Sequence, residues 1–331
     1  MPIEAPLVSV IMPTYNAEKT IGRAVDSVLN QTYENTELII VNDGSTDGTI
    51  DVVGQYNDSR IMLVNQANTG LPGARNTGLR NVKGDYVVFI DSDDWYESDY
   101  VESLISSIRG TQSQLVVCGM IAHKHSSTSR SASFDVTYDS FFENADFLSK
   151  FESGIMNSVC NKLYKTTILK EQGLKFKKIS IVEDLDFNLR YLDCIKKVCF
   201  ISNFLYHYDN TFSVLTTKVT PDMFDNYIHI HAWLFSRVPV VLFPIVSSFV
   251  YHQYVALFLR FIYLYKAKKI PMRNLSVILI RYLSNPLISY SIKTYQSTCV
   301  GDWVLNKLLV YKQVRLVVMY MYLVSTKEKI R

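Results

Sequence analysis

Tyr86-Val87-Val88-Phe89-Ile90-Asp91-Ser92-Asp93-Asp94-Trp95 is the stretch whose reading decides the fold. Five apolar or aromatic residues in a row suit a strand covered on both faces of a parallel sheet, and Gly84-Asp85 ahead of them supply a turn. The run then stops at three carboxylates, Asp91, Asp93 and Asp94. Ligands on parallel sheets gather where strands end. Acids this close repel one another unless something positive sits among them. A divalent cation with hard oxygen ligands, magnesium or manganese, would do so while binding substrate phosphates. A solvated acidic turn leaves the same pattern, so the neighbouring segments must decide.

Outward from this stretch, Leu7 to Met12 predicts an apolar strand ended by Pro13-Thr14-Tyr15-Asn16. Ala17 to Gln31 follows, with Ile21, Ala24, Val25, Val28 and Leu29 at helical spacing. Glu37 to Val41 predicts a second strand, Thr49 to Tyr56 a short helix and Arg60 to Val64 a third strand. Asn68 to Asn81 is Gly-punctuated and then helical, which makes Tyr86 to Ile90 the fourth strand. Strands alternating with helices point to an α/β domain with a mainly parallel sheet flanked by helices. Each strand end carries polar residues, so these groups converge on one edge of the sheet.

Further along, Ser98 to Arg109 predicts a helix and Leu115 to Met120 a fifth strand. The polar run His123 to Ser133 reads as a loop or hairpin turn leading to Phe134 to Tyr138, and its two histidines are assigned no role. Phe141 to Phe151 and Asn161 to Gln172 are expected to be helices. Val182, Leu185, Leu189 and Leu192 share a helical face, which puts Glu183 and Asp184 in a first turn, where the helix dipole favours acids. Val198 to Ile201 and Leu205 to Tyr208 read as short strands.

The 331 residues are 48% hydrophobic, ample for a core. The net charge of +3 hides an asymmetry: residues 1–219 hold 20 Lys and Arg against 27 Asp and Glu, whereas residues 220–331 hold 14 against 4. This split suggests an acidic, cation-using N-terminal part, 1–219, and a basic helical region, 220–331, that meets an anionic surface. Val238 to Leu259 is free of charge and long enough to span a bilayer. Pro239, Pro244, Ser247, Ser248, His252 and Gln253 dilute it, so a buried or interfacial helix pair is expected. Lys266, Lys268, Lys269 and Arg273, and the mixed run Lys307 to Met321, suit either an anionic membrane surface or packing on a second copy of the chain. The five cysteines are scattered, without a Cys-X-X-Cys pair, which fits a cytoplasmic setting rather than zinc or a disulfide framework. Met1 to Glu4 lead straight into a strand with no leader pattern.

The strand-end groups suggest a nucleotide-sugar site. Asp43 could accept from a base or ribose hydroxyl, Arg75 could face a base or phosphate, and Asp93 could hold a metal bridging a diphosphate. Glycosyl transfer from such a donor needs a metal to neutralise the leaving diphosphate and one carboxylate to take a proton from the attacking hydroxyl. A single base with in-line attack inverts the anomeric centre, without a carboxylate nucleophile.

Six segments carry a resemblance: Val10 to Asn16, Val41 to Asp47, Gly70 to Gly78 with its Gly73-Ala74-Arg75-Asn76 core, Phe89 to Trp95, Asn161 to Tyr164, and Glu183-Asp184. Their order and spacing resemble family 2 glycosyltransferases of the GT-A (Rossmann-like) fold, of the kind that builds bacterial surface polysaccharides. The resemblance implies an inverting enzyme dependent on Mn2+ or Mg2+, with a nucleotide-sugar donor, UDP-linked, and a glycan hydroxyl as acceptor. A polyprenyl-diphosphate-linked acceptor would suit a chain on the inner face of the cell membrane.

It further implies that Pro13, Thr14 and Tyr15 line the nucleoside pocket, that Asp43 contacts the base and that Arg75 lies near the base or diphosphate. Asp91 and Asp93 match the acids of the family's Asp-X-Asp motif, Asp93 as metal ligand and Asp91 toward the ribose or a metal-bound water. Asp184 matches the catalytic base, Glu183 supports it, and Lys162 would meet the diphosphate or acceptor. Asp94 is left without a role. Many relatives place an Arg after an aromatic pair where this chain, within Leu205 to Ser213, has Asp209 or Asn210. His207 in that stretch is either an additional metal ligand or a packed strand residue.

Two other classes weigh less. A sugar nucleotidyltransferase would need a Gly-rich basic loop near the first strand, which Asn16-Ala17-Glu18-Lys19 does not offer. A non-catalytic partner of the same fold has no physical reason to keep carboxylates at 91, 93 and 184. Nucleic acid is not expected as a partner.

Overall fold

A computed structural model describes residues 5–124, 127–131, 135–179, 181–209, 223–266, 277, 280–295, 305, 307 and 309. Asn210 to Ser213, the basic residues Lys268, Lys269 and Arg273, and most of Lys307 to Met321 lie outside the described residues. The chain divides into two compact units, Met1–Phe141 with Ser153–Ser213, and Phe142–Glu152 with Val214–Arg331.

The first unit is built on one mixed sheet. Strands β1 (Val8–Thr14), β2 (Thr36–Asn42), β3 (Ile61–Asn65) and β4 (Tyr86–Phe89) run parallel in the order β3-β2-β1-β4. Every residue of β1 is buried, as its near-continuous apolar run requires. Helix α1 (Ile21–Leu29) buries Ile21, Ala24, Val25 and Val28, the face anticipated from their spacing. After a short helix α2 (Thr49–Val53), helix α3 (Leu71–Asn81) packs against β1 and β2. The approach needs glycine: a Cβ on Gly78 would lie 2.3 Å from Ile11 Cγ2.

Past β4 the sheet changes direction. Strand β9 (Lys162–Lys165) lies antiparallel between β4 and β6 (Leu115–Lys124), and β10 (Lys197–Asp209) runs parallel to β6. The two-residue β5 (Trp95–Tyr96) pairs with β10, β7 (Ser127–Ser131) folds back on β6, and β8 (Val136–Asp139) joins β10. Helix α4 (Tyr100–Thr111) packs against β6 and β10.

Three local expectations change here. Asn161 to Tyr164 does not open a helix: Lys162–Lys165 is strand, because β4 and β6 leave a gap whose backbone groups only a strand can satisfy, and helix α6 (Thr166–Glu171) starts after it. The two short strands at 198–208 are one 13-residue strand, β10, with register shifts between Phe200 and Tyr206. Phe141 to Phe151 is a 3-10 turn, Phe141–Glu143, and a short helix α5 (Ala145–Ser149), whose start is capped when Asn144 accepts from Phe147 N. Helix α7 (Glu183–Leu192) carries Glu183 and Asp184 in its first turn, as its pattern predicts.

The second unit is helical, with α5 joined by α8 (Met223–Arg237), α9 (Phe243–Lys266) and α10 (Pro286–Thr294). The expected helix pair over Val238 to Leu259 is instead a 3-10 turn, Val240–Leu242, followed by the single helix α9. Pro244 falls at its start, where a missing N–H costs nothing, so it does not break the helix. Aromatic packing holds this unit: Phe224 stacks on Tyr282 at 3.7 Å, Tyr251 on Tyr295 at 3.9 Å, and Phe151 meets Phe249 at 5.6 Å.

Candidate active site

The parallel register brings the ends of β1 and β2 together. Thr14 lies opposite Asn42, and Asp43 N donates to Thr14 O at 2.9 Å. Pro13, Thr14, Tyr15 and Asp43 thus share one strand-end edge, with the Tyr15 ring exposed and Thr14 Oγ1 buried without a partner among the described residues. Asp43 is buried. Its Oδ1 accepts from Gln66 Nε2 at 2.7 Å and Thr69 N at 2.8 Å, and its Oδ2 from Gly70 N at 2.8 Å. Asp43 therefore pins the loop that opens α3, where Gly70, at φ 82°, takes a conformation a side chain would strain.

Arg75, carried on α3, is 1% exposed. Its Nη2 donates to Asp91 Oδ1 at 2.9 Å, its Nη1 makes a short contact with Asp184 Oδ1, and Glu183 Oε1 lies 4.0 Å from Nη1. The acid after β4 and the acid opening α7, far apart in the chain, thus sit on one guanidinium. Expected near the base or diphosphate, Arg75 is found bridging carboxylates, with the Phe176 ring 5.3 Å from its guanidinium carbon.

Burial pushes the Asp184 carboxyl up to about 7, against the pull of Arg75. Its Oδ2 also accepts from Val159 N at 3.3 Å. Val182, just before α7, sits at φ 61° and ψ 21°. A β-branched residue in the left-handed region costs about 1–3 kcal/mol, a strain that gathers at functional sites.

Asp93 lies in the turn after β4, and burial, with the charge of Asp91 adding to it, pushes its carboxyl up to about 6. Among the described residues no group of three or more His, Cys, Asp or Glu could hold a metal ion. Asp91 and Asp93 offer oxygen only. That fits magnesium or manganese, which take one or two carboxylates and complete their shell with phosphate oxygens and water.

Asp94, without a role in the sequence, is a structural anchor: it is fully buried, makes a short hydrogen bond with Tyr206 OH and accepts from Asp209 N at 2.7 Å. It ties the acidic turn to β10. Asp209, standing near the place where relatives carry Arg, is itself salted by Arg23 of α1, whose Nη2 lies 2.7 Å from Asp209 Oδ2 and 2.5 Å from Asp93 O. The Arg23 guanidinium also stacks 3.9 Å from the Trp95 ring. Nothing local marks Arg23, since its partners lie 70 and 186 residues away.

His207 is the packed strand residue rather than an extra metal ligand. One ring nitrogen pairs with His123 Nε2 at 2.8 Å, the other with Glu97 Oε1 at 2.7 Å, and the ring stacks on Trp95 at 4.8 Å. Lys162 also departs from its expectation. It is fully buried, and its ammonium donates to Ile155 O, Ser158 O and Asn161 Oδ1 at 2.8, 2.6 and 2.8 Å. All three of its protons go to protein oxygens, which leaves none for a diphosphate or acceptor.

Residues 9–173 match the glycosyl transferase family 2 model. The glycosyltransferase GlyA of Streptococcus pneumoniae is 36% identical over 211 residues, which cover 61% of this chain and 30% of GlyA. The Escherichia coli UDP-Glc:alpha-D-GlcNAc-diphosphoundecaprenol beta-1,3-glucosyltransferase WfaP is 31% identical over 200 residues, covering 58% of this chain and 71% of WfaP. Among solved structures, TarS of S. aureus in complex with UDP-GlcNAc superposes with a TM-score of 0.73 at 19% identity, over 95% of this chain and 90% of that one. The strand-end acids, the Glu-Asp helix start and these matches agree: the chain belongs to glycosyl transferase family 2.

Proposed function

We propose that this protein is an inverting glycosyltransferase that moves a sugar from a UDP-sugar to a hydroxyl of a polyprenyl-diphosphate-linked glycan. The observation that carries the reading is the Arg75 bridge, which holds Asp184 beside the donor-side acid Asp91. The UDP donor is supported by the ligand of TarS, and the acceptor class by the reaction in the name of WfaP.

In this mechanism Pro13, Thr14, Tyr15 and Asp43 receive the nucleoside at the ends of β1 and β2, where the Tyr15 ring is exposed. Asp93 and Asp91 would hold a divalent cation, Mn2+ or Mg2+, which supplies positive charge to the departing diphosphate. Asp184 takes the proton of the acceptor hydroxyl. The hydroxyl oxygen bonds to the anomeric carbon from the face opposite the breaking carbon–oxygen bond, and UDP leaves with that bond's electrons. A carboxyl raised to about 7 suits a base working near neutral pH. Arg75 orients it, and Glu183 adds negative charge nearby.

The test is a panel of nucleotide sugars screened for slow transfer to water, followed by Asp184→Asn with the donor so found. We expect one UDP-sugar to be consumed, and Asp184→Asn to lower turnover about 10²–10⁴-fold with UDP affinity unchanged. Near wild-type turnover in Asp184→Asn would overturn the base assignment.

The same reading puts the basic region 220–331 on the inner face of the cell membrane. Val240–Leu259 has a mean hydropathy of 1.6 and is 39% buried, and Val240 and Val241 are 73% and 81% exposed. Binding to anionic vesicles should weaken with salt. Protein left wholly in the supernatant at low salt would favour association between copies of the chain instead.

A further inference from the structure

Lys162 is a buried titratable group that the mechanism above does not use, and Asn161 to Tyr164 is a segment it does not absorb. Around them lies a closed hydrogen-bond network. The Lys162 ammonium holds the carbonyls of Ile155 and Ser158 and the side-chain oxygen of Asn161, and Asn161 Nδ2 donates to Cys118 O at 2.9 Å and Ile155 O at 3.3 Å. From the other side Asn188, on α7, donates to Met156 O at 2.8 Å and Ser158 O at 3.0 Å. Asn188 is itself fixed by Tyr164 OH, which donates to its Oδ1 at 2.6 Å. The held turn ends at Val159, whose N–H meets Asp184 Oδ2, and Asp184 stands one helical turn before Asn188 on α7. The network thus ties one short turn to two things at once: strand β9, and the helix that carries the proposed base.

We propose that Lys162 and Asn188 are positioning residues that clamp the 155–159 turn to α7, so that the Val159 N–H fixes the Asp184 carboxylate for proton abstraction. This rests on the reading of Asp184 as the base. The geometry favours a clamp over a ligand site because Lys162 and Asn188 are fully buried and their donors are all committed to protein oxygens. The ammonium has acceptors but no carboxylate in hydrogen-bond reach, and burial pushes it down to about 7. The groups facing it are the Cys118 thiol of β6, the neighbouring Cys160 and Asp184 of α7. Of the three acceptors, the carbonyls of Ile155 and Ser158 belong to the turn, and each is shared with a second donor, Asn161 Nδ2 and Asn188 Nδ2 respectively.

The experiment uses the full chain in two measurements. Hydrogen exchange of residues 155–159 is compared between wild type and Tyr164→Phe, which frees the Asn188 amide from its phenol. We expect protection to fall several-fold in the variant, whereas β1 stays protected. Unchanged protection overturns the proposal, and this readout does not depend on Asp184 being the base. Kinetics of Tyr164→Phe, which removes one hydroxyl and preserves the ring, form the second measurement, with Lys162→Met beside it. Both should lower kcat, Tyr164→Phe about 3–10-fold and Lys162→Met more, with UDP affinity within about twofold of wild type. Unchanged kcat in Tyr164→Phe, or a loss of UDP affinity in Lys162→Met with kcat preserved, overturns the clamp, the latter in favour of a ligand role. If Lys162→Met does not fold, the exchange profile and Tyr164→Phe still decide. Near wild-type turnover in Asp184→Asn would remove the base while leaving the exchange result to stand.

Discussion

The two units hold their interiors together differently. In the sheet unit the buried charges near the strand ends are paired: Arg75 through its two Nη atoms with two carboxylates, Asp94 with a phenol and a backbone N–H, Lys162 with three oxygens. Arg75 Nε, Thr14 Oγ1, Asn157 Oδ1 and Thr166 Oγ1 are buried in that unit without a partner among the described residues. In the helical unit His231, Ser247, Tyr254 and Ser291 are buried with polar atoms that have no partner among the described residues, and burial pushes His231 down to about 3. One interior is specified by directional ionic bonds and the other by ring packing. The first should fail sharply when a single group is changed, and the second should tolerate apolar replacement.

The largest expected effect is at the Arg75 bridge. Arg75→Leu leaves Asp91 and Asp184 without their cation, and removing one partner of a buried ion pair costs about 3–5 kcal/mol. Urea unfolding should show this loss together with loss of transfer. Arg75→Lys should recover part of the stability, because charge returns without the two-pronged geometry. A midpoint for Arg75→Leu within error of wild type would break the contrast between the units.

A smaller effect concerns pH. Asp184 has its folded value raised to about 7, above that of an unfolded carboxyl near ~4. Between these values the folded chain holds a proton that the unfolded chain has released, so this contribution is fully present below pH ~4 and is lost as pH rises through about 7. Turnover runs the other way, since the base must be ionised: it should rise through pH about 7 and level off. Opposite slopes of stability and kcat, both reduced in Asp184→Asn, would tie the acidic limb to this residue. Parallel slopes would assign it elsewhere.

The smallest effect belongs to the helical unit. His231→Leu removes an imidazole whose two nitrogens are buried without partners, at a site ringed by Tyr227, Phe249 and Tyr254. It should be neutral or stabilising, by about 1–2 kcal/mol, raising Tm with transfer unchanged. A loss of stability of the same size would mean that this interior, too, is specified by polar bonds.

Much of the site was legible because it is written in short segments. An apolar run followed by acids marks a strand and its end, and hydrophobic spacing from Val182 to Leu192 marks a helix with Glu183 and Asp184 in its first turn. What stayed hidden lies in pairings across the chain. Asp94 reads as one acid among three until Tyr206, 112 residues later, is found on it. Lys162 reads as a cation for phosphate until the sheet places it inside, and Asn161 to Tyr164 reads as helix until the gap between β4 and β6 makes it strand.

The sequence by itself therefore determined the alternating α/β order of the first unit, the edge at which its polar strand ends meet, and the carboxylates available there. These follow from periodicity and turn chemistry, which act over a few residues. Only the tertiary structure decided that Asp91 and Asp184 share Arg75, that Lys162 serves the fold, and that Arg23 supplies the cation beside Asp209. Those choices depend on which distant groups become buried together, where desolvation makes an unpaired charge so costly that each must find its partner.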